Sequence, residues 1–177
     1  MTREQLEHVI RAAADIADDE EIVVVGSQAI LGQFPSAPAP MLVSVEADVY
    51  PRNKPERSDL IDGCIGESSP FHDTYGYYAQ GVGPGTAVLP QGWESRLVAI
   101  CNPNTRGATG WCLEVHDLLL AKSVAGRVKD ARFLRCAAEH GLACEETLLA
   151  RLGTLPVSEE LRLVIRTRIR AAFRPEG

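Results

Sequence analysis

The chain has 177 residues, of which 45% are hydrophobic and 24% charged, the make-up of an ordinary globular protein and not of a disordered or fibrous one. Eighteen Lys+Arg against 24 Asp+Glu leave a net charge of −6, which argues against a protein that coats nucleic acid, because such binding rests on neutralising many phosphates. At this length one compact domain, or one domain with a helical appendage, is expected.

Residues 3–17 place Leu6, Val9, Ile10, Ala13 and Ile16 at helical spacing, and the acidic cluster from Asp18 to Glu21 closes a predicted first helix. EIVVV is β-branched and stops at Gly26, which predicts a strand over 21–26 and a glycine turn, for which a need for positive φ is the plainer alternative to a ligand-binding role. SQAILGQF continues as one or two helical turns, and residues 35–40, PSAPAP, form a proline-rich loop. MLVSVEADVYP alternates and predicts a strand over 43–50 that ends at Pro51. A helix follows over SDLIDGCIGE with Ser58 as N-cap, then a long glycine- and aromatic-rich loop over 69–93. ESRLVAICNP and GWCLEV predict strands at 96–101 and 110–115. Everything beyond His116 is helical in pattern, beginning with HDLLLAKSVAGRVKD as one segment. The sum is an α+β chain with a small mixed β-sheet, flanking helices and a C-terminal helical segment.

No stretch approaches the roughly 20 consecutive apolar residues of a membrane span, and the opening MTREQLEHVIRAAADIADDEE lacks the apolar region and cleavage site of a secretion signal. A cytoplasmic protein without a membrane partner is expected. Cys64, Cys101, Cys112, Cys136 and Cys144 are odd in number and form no CxxC pair, so reduced core thiols are expected in preference to a zinc site or disulfides.

Glu46 and Asp48 lie two apart on a predicted strand and therefore share a face. Two close anions repel unless a cation lies between them, and hard carboxylate oxygens suit Mg²⁺, which completes its octahedron with water and phosphate oxygens. Gly26-Ser27, a glycine turn at a helix start, offers backbone N–H groups to a triphosphate. The plainer alternatives are a solvated edge for the two acids and a helix cap for Ser27. Lys122, within LLLAKSVAG, faces the core by periodicity, so it must snorkel or reach an anion such as Asp117 or Asp130. His72, Tyr75, Tyr77, Tyr78 and Trp93 either pack the long loop or stack on a base. Arg162, Arg166, Arg168 and Arg170 make the last helix basic, as a solvated face or a contact for tRNA or a partner's acidic surface.

The glycine-serine turn with acidic-x-acidic on the next strand resembles the signature of the polymerase-beta-type nucleotidyltransferases. More closely, VVVGSQAI, EADVYP, GYYAQGV, LPQGW and LEVHDLLLAKSVAGRVKDARF are similar to an actinobacterial nucleotidyltransferase-like group of unassigned function. That group lies near the AbiEii-type minimal nucleotidyltransferases of toxin–antitoxin and phage-defence systems, and the likeness spans residues 20–140. The gap from Ser27 to Glu46 exceeds the family's usual spacing, and the proline-rich loop accounts for the excess.

The resemblance implies a nucleotidyltransferase domain over 1–140 with a helical extension at 141–177 packed on it. It implies Mg²⁺ or Mn²⁺ held by Glu46 and Asp48, an NTP whose triphosphate meets Gly26, Ser27 and Lys122, and Asp130 as a site-facing acid. The superfamily's third carboxylate, the base toward the incoming hydroxyl, has no counterpart in RLVAIC; Glu114 is the candidate, with Glu94 behind it. The implied reaction moves a nucleoside monophosphate from NTP to a hydroxyl of RNA, protein or a small molecule, in a toxin–antitoxin or defence component with an antitoxin partner. The alternative is a non-catalytic nucleotide-binding or protein-interaction module of the same fold.

Overall fold

The computed structural model describes residues 1–174, and the chain forms two compact units. The first comprises Met1–Thr86 and Leu97–Glu114; the second comprises Ala87–Arg96 and the chain from Val115 onward.

In the first unit, α1 (Arg3–Ala17) opens with a capping box: the Thr2 hydroxyl accepts from the Gln5 N–H and the Gln5 side chain accepts from the Thr2 N–H. Its Leu6, Val9, Ile10 and Ala13 are fully buried, as their spacing requires. A five-stranded sheet follows from β1 (Glu21–Val24), β2 (Glu46–Pro51), β3 (Tyr78–Gly81), β4 (Val98–Ile100) and β5 (Thr109–Cys112), in the order β3-β2-β1-β5-β4. β1 is antiparallel to β2 and parallel to β5; β2 is parallel to β3, and β4 antiparallel to β5. Between β1 and β2 run a 3₁₀ turn at Ser27–Ala29, the short α2 (Ile30–Gln33) and the proline-rich segment, which itself closes in a 3₁₀ turn at Ala39–Met41. Two helices, α3 (Ser58–Ile65) and α4 (Pro70–Tyr75), lead into β3.

The helices set which face of the sheet is core. A Cβ at Gly110 of β5 would overlap the Ile10 side chain of α1, and one at Gly81 of β3 would overlap the Ser58 carbonyl oxygen of α3. Ala47, Val49 and Ala79, which alternate in phase with Gly81, are completely buried. Glu46, Asp48, Tyr78 and Gln80 occupy the other face.

The architecture is the expected α+β one, with corrections in detail. β3 lies inside the stretch expected to be loop, because its four residues, Tyr-Ala-Gln-Gly, are too few to show an alternating pattern among the surrounding glycines. The other strands are shorter than their apolar runs. Ser58 does not cap α3: a 3₁₀ turn at Pro55–Arg57 runs straight into the helix, and the Ser58 hydroxyl donates back to the Pro55 carbonyl at 2.9 Å. Gly26 has φ −76°, so positive φ is not the reason for its glycine.

The second unit is helical: α5 (Val115–Ala125), α6 (Val128–Glu139), α7 (Glu145–Leu152) and α8 (Glu159–Ala172), with α5 packed on α6, α7 and α8. The single helix expected over 116–130 is broken. Gly126 takes φ +64°, and Arg127 starts α6 with its N–H donating to the Asp130 carboxylate at 3.2 Å. Asp117, with no exposed surface, accepts from Arg96 at 2.8 and 3.2 Å and from Arg151 at 2.9 Å. All five cysteines are free, but only Cys112 and Cys136 are buried; Cys64, Cys101 and Cys144 are exposed, which corrects the expectation of five core thiols. Among the described residues no helix is long and apolar enough to cross a membrane.

Candidate active site

Strand direction gathers the first unit's candidate residues. Because β1 and β5 are parallel while β2 and β3 run opposite to β1, the ends of β1 and β5 and the starts of β2 and β3 share one end of the sheet. Gly26, Glu46, Asp48, Tyr78 and Glu114 are thereby brought to that end from segments far apart in the chain.

The β1–β2 ladder extends one residue past β1, with the Val25 N–H donating to the Asp48 carbonyl at 3.0 Å. Gly26 follows at once. A Cβ built there would fall inside the Asp48 carboxylate, so glycine is required by close approach of the backbone to an acid, not by an unusual dihedral. Asp48 and Glu46 are half-buried, with Ala47 between them fully buried on the opposite face. Ser27 is half-buried at the start of the 3₁₀ turn.

Glu46 and Asp48 face β3 in register with Tyr78 and Gln80. The Tyr78 hydroxyl donates to Glu46 Oε2 at 3.3 Å, and the His72 ring of α4 lies 4.7 Å from the Tyr78 ring. Burial, and then the Glu46 charge, push the Tyr78 phenol up to about 12. The remaining aromatics of the segment belong elsewhere: Phe71, Tyr75 and Tyr77 cluster with His8 of α1, whose Nδ1 is 2.7 Å from the Tyr77 hydroxyl. The expected aromatic group therefore divides, and only His72 and Tyr78 reach the acidic face. Trp93 lies in the second unit.

Gln28 is a site-adjacent residue without a signal in the sequence beyond its place after Gly26-Ser27. It is completely buried, its Nε2 donates to the Ser44 carbonyl at 3.2 Å, and its Oε1 has no hydrogen-bond partner among the described residues. The amide ties the glycine turn to the chain entering β2. Glu114 is not a strand residue, because β5 ends at Cys112; it is half-buried in the two-residue link to α5, after Leu113, whose N–H donates to the Val24 carbonyl at 3.2 Å. Glu94 is exposed and belongs to the second unit.

Lys122 and Asp130 also belong to the second unit. Lys122 is buried, with its ammonium 3.4 Å from Asp130 Oδ1 and 4.4 Å from the centre of the Phe133 ring. Arg127 binds the same carboxylate through Nε at 2.7 Å and Nη2 at 3.2 Å. Burial works against the Asp130 charge, but the Arg127 hydrogen bonds and the Lys122 ammonium outweigh it and hold the carboxyl below its ordinary value. Of the two partners expected for Lys122, Asp130 is the one observed, and Asp117 is occupied by Arg96 and Arg151. On α8, Arg168 donates to the Ser123 carbonyl at 2.6 Å and Arg162 to carbonyls from Leu152 to Val157. Arg166 and Arg170 remain exposed.

Two half-buried carboxylates on one face, one seated against the Gly26 backbone, are a donor set that fits a hard divalent cation completed by water and phosphate oxygens. Among the described residues no group of three or more His, Cys, Asp or Glu is arranged to hold a metal ion. No curated protein and no solved structure matches the chain. Residues 4–140, which include Gly26, Ser27, Glu46, Asp48, Glu114, Lys122 and Asp130, match a family described as nucleotidyltransferase of unknown function (DUF6036). The match takes in well over half of the chain, and the protein belongs to that family.

Proposed function

We propose that this protein is a Mg²⁺-dependent nucleotidyltransferase that moves a nucleoside monophosphate from NTP to a hydroxyl acceptor. The observation that carries the reading is the Gly26–Asp48 contact: a chain-backbone turn without a side chain, set directly against one of two carboxylates sharing a sheet face. Glu46 and Asp48 would hold Mg²⁺ or Mn²⁺, which in such a site neutralises phosphate charge and lowers the pKa of an attacking hydroxyl. Gly26 leaves room for the Asp48 carboxylate against the backbone; the turn's amides are the proposed triphosphate contact, and Ser27 adds a hydroxyl to the same turn. Glu114, at the same end of the sheet, is the proposed base that takes the acceptor's proton. Lys122 as a triphosphate contact and Asp130 as a site-facing acid come from the resemblance to AbiEii-type proteins alone; the observed Lys122–Asp130 ion pair is equally what a buried lysine needs for its own charge.

That resemblance also supports the finer parts of the proposal: residues 1–140 as the catalytic region with 141–177 as an extension, a cytoplasmic toxin–antitoxin or defence role, an antitoxin partner, and an RNA or protein acceptor. Five free cysteines agree with a reducing compartment.

The test is incubation of the protein with each α-labelled NTP, Mg²⁺ or Mn²⁺, and total cellular RNA or protein. Label should appear in an acceptor with the wild type and be absent with Asp48→Asn. Nucleotide binding without any transfer would instead favour the non-catalytic module of the same fold.

A further inference from the structure

We propose that Tyr78 is the positioning residue of Glu46, a phenol that holds one of the two acids in its cation-binding orientation; the inference rests on the reading of Glu46 and Asp48 as metal ligands. The two acids are constrained differently. Asp48 has a short side chain, and its carboxylate lies in the space left by Gly26. Glu46 has one more methylene and one more rotatable bond to fix. An unrestrained glutamate loses rotamer entropy when it binds.

The structure supplies the restraint from the neighbouring strand. Tyr78 stands opposite Glu46 in the parallel β2–β3 register, its own N–H donates to the Val45 carbonyl at 3.0 Å, and its hydroxyl donates to Glu46 Oε2 at 3.3 Å. With Oε2 engaged, the donor is a neutral hydroxyl and the carboxylate keeps its charge for a cation.

Tyr78 is itself buttressed. The His72 ring packs on it at 4.7 Å with a 51° tilt. His72 is fixed in turn: its Nδ1 accepts the Ser68 N–H at 3.1 Å and its backbone N–H donates to the Ser69 hydroxyl at 3.2 Å. The Ser68 bond orients the imidazole and assigns the acceptor role to Nδ1. The line Ser68, His72, Tyr78, Glu46 gives the six-residue α4 a function: it steadies an edge strand that carries the restraint for a ligand. Outer partners of this kind orient first ligands of metals, and their loss typically weakens metal affinity about 10- to 100-fold.

The experiment is a double-mutant cycle read as Mn²⁺ affinity by calorimetry or electron paramagnetic resonance, without nucleotide. Tyr78→Phe keeps the ring on His72 and removes only the hydroxyl; it should weaken Mn²⁺ binding about tenfold. In the Glu46→Gln background the same change should alter affinity less than about twofold, because the group through which Tyr78 acts is gone. A merely structural tyrosine would give equal losses in both backgrounds, and that result overturns the proposal. Glu46→Asp offers a second background: withdrawing the carboxylate from the Tyr78 hydroxyl should likewise abolish the effect of Tyr78→Phe. Asp48→Asn separates the two levels. If Asp48→Asn abolishes binding while Tyr78→Phe leaves it intact, the positioning role falls and the metal site stands; if wild type and Asp48→Asn bind Mn²⁺ equally, or neither binds, the metal reading falls and takes this role with it.

Discussion

The Asp48 carboxylate occupies the space in which a side chain on Gly26 would begin. Since Gly26 has φ −76°, alanine would suit its backbone and the obstruction is wholly steric. Gly26→Ala should therefore push the Asp48 side chain aside, destabilise the fold by about 1–3 kcal/mol as overpacking does, and weaken Mn²⁺ and NTP binding at least about tenfold. Denaturant unfolding and calorimetry on the same samples measure both. Wild-type binding by the variant would show that the contact is incidental.

Asp48→Asn keeps shape and removes charge. Binding of NTP with Mn²⁺ should be lost, and wild-type binding should be equally lost in EDTA, because the carboxylate is the ligand being replaced. Titration calorimetry at fixed nucleotide reads the effect.

Glu114→Gln should leave nucleotide binding unchanged and slow transfer by about 10²- to 10⁴-fold, the usual contribution of general-base help. Single-turnover labelling with α-labelled NTP measures it. An unchanged rate clears Glu114 of the role.

The sequence announced the acidic pair and the glycine turn clearly because both are local: acidic-x-acidic on a strand and glycine after a β-branched run need no tertiary information. The reason for the glycine was not local. It depends on β2 lying antiparallel to β1 so that Asp48 arrives at Gly26, and no pattern within VVVGSQAI contains that. β3 was hidden for a related cause, since YAQG gains strand geometry only by pairing with β2. Consequently the link from Tyr78 to Glu46 was invisible, although both residues stood in view. The break between α5 and α6 was legible in principle: Gly126 followed by Arg127 and, three residues later, Asp130 is a stop and a start, but the apolar spacing on either side masked it.

Asp130 should be a centre of stability in the helical unit. Asp130→Ala leaves Lys122 buried without that carboxylate and removes the capping contacts of Arg127, so a loss of about 3 kcal/mol or more is expected. Lys122→Met, which removes the buried charge and keeps the contact with Phe133, should cost less. Urea unfolding of both variants checks the order.

Three buried carboxyls are held below their ordinary values against the opposing effect of burial: Asp130 by Arg127 and Lys122, Glu7 by Asn104, Asn102 and Arg3, and Asp19 by Asn53 and neighbouring amides. Each is more acidic folded than unfolded, so its contribution is fully present above the unfolded carboxyl range near about 4 and disappears as pH falls through the lower folded values. Unfolding free energy should therefore fall on acidification below about pH 4. The fall should be shallower in Asp130→Asn than in wild type; identical slopes would contradict the assignment.

The chain passes between its two compact units at Ala87, at Leu97 and again at Val115, so each unit is assembled from separated pieces of sequence. Asp117 shows what this means for anyone trimming the protein. A fragment ending at residue 140 lacks Arg151, and a fragment starting at residue 115 lacks Arg96; each leaves a fully buried carboxylate with one of its two guanidinium partners missing. No single cut liberates either unit intact. Truncated expression clones are thus poor instruments for assigning activity here, and point variants of the full chain are the sound ones.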